Sequence, residues 1–209
     1  MFEDLQKAVL EGNEEEGLNL TNKYLGEGKK PEEIIKEGLV AGMNVVGVRF
    51  KAYEMYLPEV IMSANTMKKS MEVLKPLIAE ANISSMGRIL IATIEGDMHD
   101  IGKNLVSMML EGAGFEMVDM GVDVPIVKIA DEAVKKGVQL VGISALLTTT
   151  MLAMEPAIME IRRRDPKIKV MVGGAPITRE FSEKIGADGF APDALRAIDL
   201  AKSLLSIKG

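Results

Sequence analysis

The chain has 209 residues, 47% of them hydrophobic and 27% charged, enough apolar material to bury a sizeable core in one domain or two. A formal charge of −6 with no long basic tract excludes nucleic acid as the expected partner, because nothing is present to neutralise phosphates. There is no cysteine, no apolar signal core at the amino terminus and no run long enough to span a bilayer, so a disulfide-free cytoplasmic protein without a membrane partner is expected.

Residues 1–80 read as helical, punctuated where helix ends are expected. Gly12-Asn13 before three glutamates is a stop, an N-cap and an acidic first turn that complements the helix dipole. Gly26-Glu27-Gly28 ends a second helix, and Pro31 opens a third at a position where proline is tolerated. The third helix carries Ile35, Gly38, Gly42, Val45 and Arg49 along one side, its glycines allowing a neighbouring helix to approach. Phe50 to Pro58 reads as the connection to a fourth helix, which starts at Leu57-Pro58 and sets Val60, Ile61, Ala64, Met67, Met71 and Leu74 at helical spacing. Such helices cannot bury their faces singly, so a four-helix bundle is predicted.

Residues 81–87 are small and polar and read as a linker. Beyond them, apolar runs at Ile89 to Ile94, Phe115 to Met120, Leu140 to Ser144, Ile168 to Val172 and Gly189 to Ala191 alternate with helical patterns. The alternation predicts a second domain over 88–209, a doubly wound, five-stranded parallel sheet of Rossmann or flavodoxin type. Gly112, Gly114, Gly137 and Gly186 stand near helix ends, and Pro156 should start or kink a helix. Arg162-Arg163-Arg164 reads as a solvated helix end, and the sixteen methionines read as core filler.

The chemistry concentrates in residues 88–103, which hold the single histidine. A buried strand runs into a glycine-bounded loop there, and a helix pattern begins at Ile101. Asp97 and His99 are two positions apart, so in an extended segment the carboxylate can reach the imidazole. The pair suits a metal-bound histidine oriented by a carboxylate, a general base, or a histidine that only caps a helix. Without cysteine or a second histidine a conventional transition-metal site is incomplete; one imidazole suffices when the metal arrives with most of its coordination filled, as in a macrocycle. Ser144 and Thr148, at and just after the third strand, read either as ligand-binding hydroxyls or as helix caps. Gly173-Gly174 reads either as a tight turn or as room for a ligand close to the backbone.

Asp97-Met98-His99-Asp100-Ile101-Gly102 matches the Asp-x-His-x-x-Gly signature of cobalamin-binding domains, with Ser144-Ala145-Leu146 matching their Ser-x-Leu and Gly173-Gly174 their paired glycines. The run Glu95 to Asn104 resembles the small corrinoid proteins of anaerobic methylamine, methanol and betaine methyltransferase systems, and the two-domain module is similar to that of cobalamin-dependent methionine synthase. The resemblance implies cobalamin or a related corrinoid as cofactor, with His99 as lower axial ligand to cobalt and Asp97 and Thr150 as a relay behind it. It implies that Gly96, Met98, Asp100, Ile101, Gly102, Ser144, Leu146, Thr148, Gly173, Gly174 and Ala194 line the cofactor, with Asp193 beside Ala194. Phe50 and Leu57 have the spacing of the residues that cover the upper face of the corrin in the similar module, so residues 1–80 are expected to act as a helical cap.

The function so implied is a non-catalytic methyl carrier. Cob(I)alamin would accept a methyl group from a substrate-specific methyltransferase of methylated-amine or betaine type, and a second methyltransferase, of tetrahydrofolate or coenzyme M type, would take it from methylcobalamin. A reductive activator is a further implied partner, and the linker near Ser84 an implied hinge. Two other readings share parts of this pattern: a cobalamin-dependent sensor, which usually adds a DNA-binding segment, and a hydrolase using Asp97 and His99 as a base pair.

Overall fold

A computed structural model describes residues 2–81 and 86–207. The chain divides into two compact units, residues 1–84 with 112–114, and residues 85–111 with 115–209. Most of the expected linker, residues 82–85, lies outside the described residues.

The first unit is helical: α1 (Glu3–Leu10), α2 (Glu14–Gly26), then α3 (Pro31–Glu33), a π-helical segment (Ile34–Val40) and α4 (Ala41–Lys51) running on without a break, and α5 (Leu57–Ala81). Asn13 caps α2, its side chain accepting from the Glu16 amide at 3.1 Å. Four rods pack as a bundle, with α1 seated on the glycine side of the third. A Cβ at Gly38 would stand 2.6 Å from the Leu5 side chain, and one at Gly42 would stand 3.0 Å from the Gln6 carbonyl.

Two expectations need correction here. Val45 is 40% exposed and Arg49 is also exposed, whereas Ile34, Gly38, Leu39, Gly42, Met43 and Val46 are buried. The π-segment is the reason: its i→i+5 turns hold more residues than α turns, so the inward stripe advances to Val46 where an α-helix would have brought Val45 inward. The Gln6 side-chain amide donates to the Glu37 carbonyl within this segment at 2.6 Å. The connection before the fourth rod is also shorter than predicted. Phe50 lies in the last turn of α4 and Leu57 is the first residue of α5, leaving residues 52–56 between them.

The second unit is a five-stranded, all-parallel sheet in the order β2-β1-β3-β4-β5, the flavodoxin-like order. Its strands are β1 (Arg88–Thr93), β2 (Glu116–Asp119), β3 (Leu140–Ser144), β4 (Lys169–Gly173) and β5 (Gly189–Phe190). The helices are α6 (Ile101–Gly112), α7 (Ile126–Lys135), α8 (Met154–Arg164) after a 3₁₀ turn (Met151–Ala153), α9 (Arg179–Lys184) and α10 (Ala194–Leu204). Strand alternation sends Leu90, Ala92, Val141, Ile143, Val170 and Val172 to one face, where they form a core with Ile129 and Ala133 of α7 and Ile158 and Ile161 of α8. Pro156 falls in the first turn of α8, where its missing N–H is not needed. The three arginines close α8 and are ion-paired, Arg162 to Asp188, Arg163 to Glu160, and Arg164 to Asp131 and Glu160.

Candidate functional site

Successive strands leave β1 on opposite sides, β2 on one and β3 on the other, so the carboxyl ends of β1 and β3 border the topological switch point of the sheet. Ligands of open α/β sheets bind in that crevice. The two loops that meet there are 94–100, carrying His99, and 145–150, carrying Thr150.

The histidine loop is held from below. Gly96 has a φ of +83°, which glycine adopts without strain, and its amide donates to Asp123 Oδ1 at 2.7 Å. The Asp123 amide donates in turn to the Asp97 carbonyl at 2.9 Å, and the buried Thr93 hydroxyl donates to the His99 carbonyl at 2.8 Å. These bonds turn the Asp97 side chain inward, where it is fully buried.

Five hydrogen bonds converge on that carboxylate. Oδ1 accepts from the His99 amide at 3.1 Å and pairs with His99 Nδ1 at 2.7 Å. Oδ2 accepts from the Thr150 hydroxyl at 2.7 Å and from the amides of Leu146 at 2.7 Å and Leu147 at 3.3 Å. Burial alone would raise the pKa of Asp97, but the hydrogen bonds from Thr150, Leu146 and His99 outweigh it and hold the carboxyl well below the ordinary carboxylate range. An ionised carboxylate can only accept, so the imidazole proton resides on Nδ1 and the lone pair on Nε2. The His99 side chain is 50% exposed, so that lone pair is accessible.

The rim is apolar. Met98 is 68% exposed and Ile101 79% exposed, and Leu146 and Leu147 on the opposite loop are exposed as well. Gly102 opens α6 with nothing within 4 Å of where a Cβ would stand. Asp100 is exposed and accepts from the Asn104 side chain at 3.0 Å. Ser144 ends β3 half-buried, and Thr148 is exposed in the turn after it.

The two glycines at the end of β4 are crowded by the fold itself. A Cβ at Gly174, where φ is +128°, would stand 1.8 Å from the Ala145 carbonyl oxygen, and one at Gly173 would stand 2.9 Å from that of Ala191. Asp193 caps α10, accepting from the Arg196 amide at 2.8 Å, and Ala194 is the buried first residue of that helix. Phe50 and Leu57 belong to the helical unit, Phe50 half-buried and Leu57 exposed. The structure adds residues that sequence reasoning missed: Leu147 and Asp123 as donors and acceptors to the histidine loop, and Lys103, buried and ion-paired to Asp119. Backbone donors leave no signature in a sequence, whereas Lys103 stands in the motif run itself.

Among the described residues no group of three or more histidine, cysteine, aspartate or glutamate side chains could hold a bare metal ion. One imidazole with its lone pair outward, set in an exposed apolar rim beside an open glycine, fits a metal delivered inside an apolar-edged macrocycle. No helix among the described residues is long and apolar enough to cross a membrane.

Comparison with known proteins agrees with the geometry. Two family models, each described as a B12 binding domain, match residues 87–199 and residues 1–75. The chain is 44% identical to the dimethylamine corrinoid protein of Methanosarcina barkeri, covering 99% of this chain and 98% of that one. It is 38% identical to trimethylamine corrinoid protein 1 of Methanosarcina acetivorans, covering 95% and 94%. Among solved structures it resembles a chain of the methanol:cobalamin methyltransferase complex of Methanosarcina barkeri, with a TM-score of 0.86, 28% identity and coverage of 98% and 79%. A cobalamin-binding protein from Desulfitobacterium hafniense gives a TM-score of 0.77 at 27% identity, covering 98% of each chain.

Proposed function

Because the chain belongs to the B12-binding corrinoid protein family, with a corrinoid as its cofactor, we propose that it carries a methyl group between two partner methyltransferases and catalyses no reaction alone. The bound corrinoid supplies the metal centre to which a methyl group can be attached and from which it can be removed. His99 Nε2 is the proposed axial donor, and the observation that carries the reading is the five-bonded Asp97 carboxylate that keeps the proton on Nδ1.

The residues of the chain divide the remaining work. Asp97 fixes the imidazole plane and tautomer. Thr150 lies within reach of two acceptors, Asp97 Oδ2 at 2.7 Å and the Leu147 carbonyl at 3.1 Å, but has one hydroxyl proton to give. Given to Asp97 Oδ2, that proton helps keep the carboxylate ionised and so keeps the imidazole proton on Nδ1. Met98, Ile101, Leu146 and Leu147 would pack against the corrinoid and exclude water there, and Gly102 would leave it space. Asp100, Ser144 and Thr148 offer polar contacts to the cofactor's substituents. Gly96, Gly173 and Gly174 shape the loops, and Ala194 supports the far end of the crevice. The upper-face role of Phe50 and Leu57 rests on the resemblance to the methionine synthase module.

The methylamine relatives support a donor of methylated-amine type, delivered by a substrate-specific methyltransferase, with a second methyltransferase and a reductive activator completing the system. The test is His99→Ala in hydroxocobalamin-loaded protein. Loss of the histidine-ligated absorption spectrum and weaker cofactor retention are expected; an unchanged spectrum refutes the axial assignment. Methyl transfer from a panel of methylated amines, betaine and methanol in the presence of the co-purified methyltransferase identifies the donor.

A further inference from the structure

We propose that Lys103 and Asp119 are positioning residues for metal ligation, a buried ammonium tied to an exposed carboxylate that holds the turn carrying His99 in its ligating pose; the inference rests on His99 being the axial donor. Among the described residues Asp97 and Lys103 are the two charged residues that are buried, and they stand on either side of the single histidine. Asp97 acts on the imidazole directly. Lys103 does not touch it.

Its contacts show what it holds instead. Lys103 Nζ reaches both carboxylate oxygens of Asp119, at 2.6 and 2.5 Å, and Asn104 Oδ1 at 2.7 Å, so each of its three protons has an acceptor. Asp119 is the last residue of the edge strand β2, and its Oδ1 also accepts from the Gly121 amide at 2.8 Å. The Gly121 carbonyl accepts from the Thr93 amide at 3.0 Å, and the Thr93 hydroxyl donates to the His99 carbonyl. On the other side, the Asn104 side chain donates to Asp100, the residue after His99. The bonds therefore close a circuit, from Lys103 through Asp119, Gly121 and Thr93 to the carbonyl of His99, and from Lys103 through Asn104 to Asp100.

Stability alone does not account for an ammonium at this place. The ammonium is buried while Asp119 stays exposed, so desolvation of the lysine is set against an attraction that solvent screens, and such a pair is often no more stabilising than apolar residues of similar size. What the pair adds is direction: a saturated ammonium fixes the first turn of α6 against the end of β2, and the histidine between the two ends of the circuit loses its freedom to turn away. Preorganisation of this kind strengthens ligation without contact to the metal.

A double-mutant cycle separates this role from a merely structural one. The variant Lys103→Met/Asp119→Leu replaces the pair by apolar side chains and keeps the fold, judged by circular dichroism and melting temperature. Hydroxocobalamin affinity is measured for the wild type, this variant, His99→Ala and the combination. The expected result is binding about tenfold weaker or more in the Lys103→Met/Asp119→Leu variant, the loss typical of an outer partner of a metal ligand, and no further loss once His99 is alanine. Equal weakening with and without His99, or no weakening, overturns the inference and leaves the axial assignment standing. If His99→Ala itself binds as the wild type does, the axial assignment falls and the inference with it. Should the double replacement fail to fold, Asp119→Asn, which keeps the shape and one acceptor, enters the same cycle with the same outcomes.

Discussion

Asp97→Asn tests the logic of the site most sharply, because the geometry dictates which way the new amide must face. Oδ2 of Asp97 meets two backbone amides and the Thr150 hydroxyl. An NH₂ group there would confront fixed donors, so the amide oxygen takes that position and the NH₂ turns to the imidazole. It then donates to Nδ1, which moves the ring proton to Nε2, the nitrogen whose lone pair ligation requires. The NH₂ also faces the His99 amide, which bonded to Oδ1 in the native protein. Restoring the ligating tautomer means unmaking one neutral hydrogen bond, about 0.5–1.5 kcal/mol, and leaving opposed donors, about 1–3 kcal/mol, together roughly 1.5–4.5 kcal/mol. At about 1.36 kcal/mol per decade, axial ligation weakens between about tenfold and about two-thousandfold. The assay is direct because His99 is the only histidine in the chain: long-range ¹⁵N correlation on the apo-protein reads the tautomer, and absorption of the hydroxocobalamin-loaded protein reads ligation. An asparagine variant that keeps its proton on Nδ1 and ligates as the wild type does would refute the reasoning.

Thr150→Val removes the hydroxyl bond to the buried carboxylate and should destabilise the protein by about 1.5–3 kcal/mol in urea denaturation, whereas Thr150→Ser keeps the bond and most of the stability. The lowered pKa of Asp97 means that its ionisation contributes stability fully above the ordinary carboxylate range, lost as pH falls below that range toward the native value. Wild-type stability should therefore drop more steeply than that of Asp97→Asn on acidification from about pH 6 to about pH 3, and parallel curves would contradict this. Gly102→Ala should leave the apo-protein as stable or more so, by up to about 1 kcal/mol for a helical site with open space, while weakening hydroxocobalamin binding. Gly174→Ala should fail to accumulate as folded protein, since its Cβ has no room beside Ala145 and its φ is unfavourable for alanine.

These two glycines mark where the sequence is silent. The strands were legible because a sheet covered on both faces writes itself as apolar runs, and the observed bounds of β1, β3 and β4 fall within a residue of those runs. The Asp97–His99 contact was legible because a two-residue offset in extended chain admits few alternatives. Gly102 and Gly174 look alike in sequence, yet one faces open space and the other is pressed against a neighbouring loop, a distinction made only by tertiary packing. The π-segment was illegible for another reason: widening a helical turn changes no residue, and only the later burial of Val46 in place of Val45 records it. Lys103 reads as an ordinary helix-surface lysine, because its acceptor stands sixteen positions away on the edge strand.

The charge and the apolar rim of the site make sense only together. Asp97 is buried and saturated with donors, which makes it a poor base and a firm anchor. The general-base reading of Asp97 and His99 would ask for polar groups to seat a substrate and its water at Nε2. The loops instead expose Met98, Ile101, Leu146 and Leu147, and each Å² of such surface left in water forfeits about 25 cal/mol that a covering group would recover. An accessible lone pair is of little use to acid–base catalysis on an apolar shelf, but in the proposed reading such a shelf would hold a broad ring in place and leave one nitrogen free to reach the metal it carries.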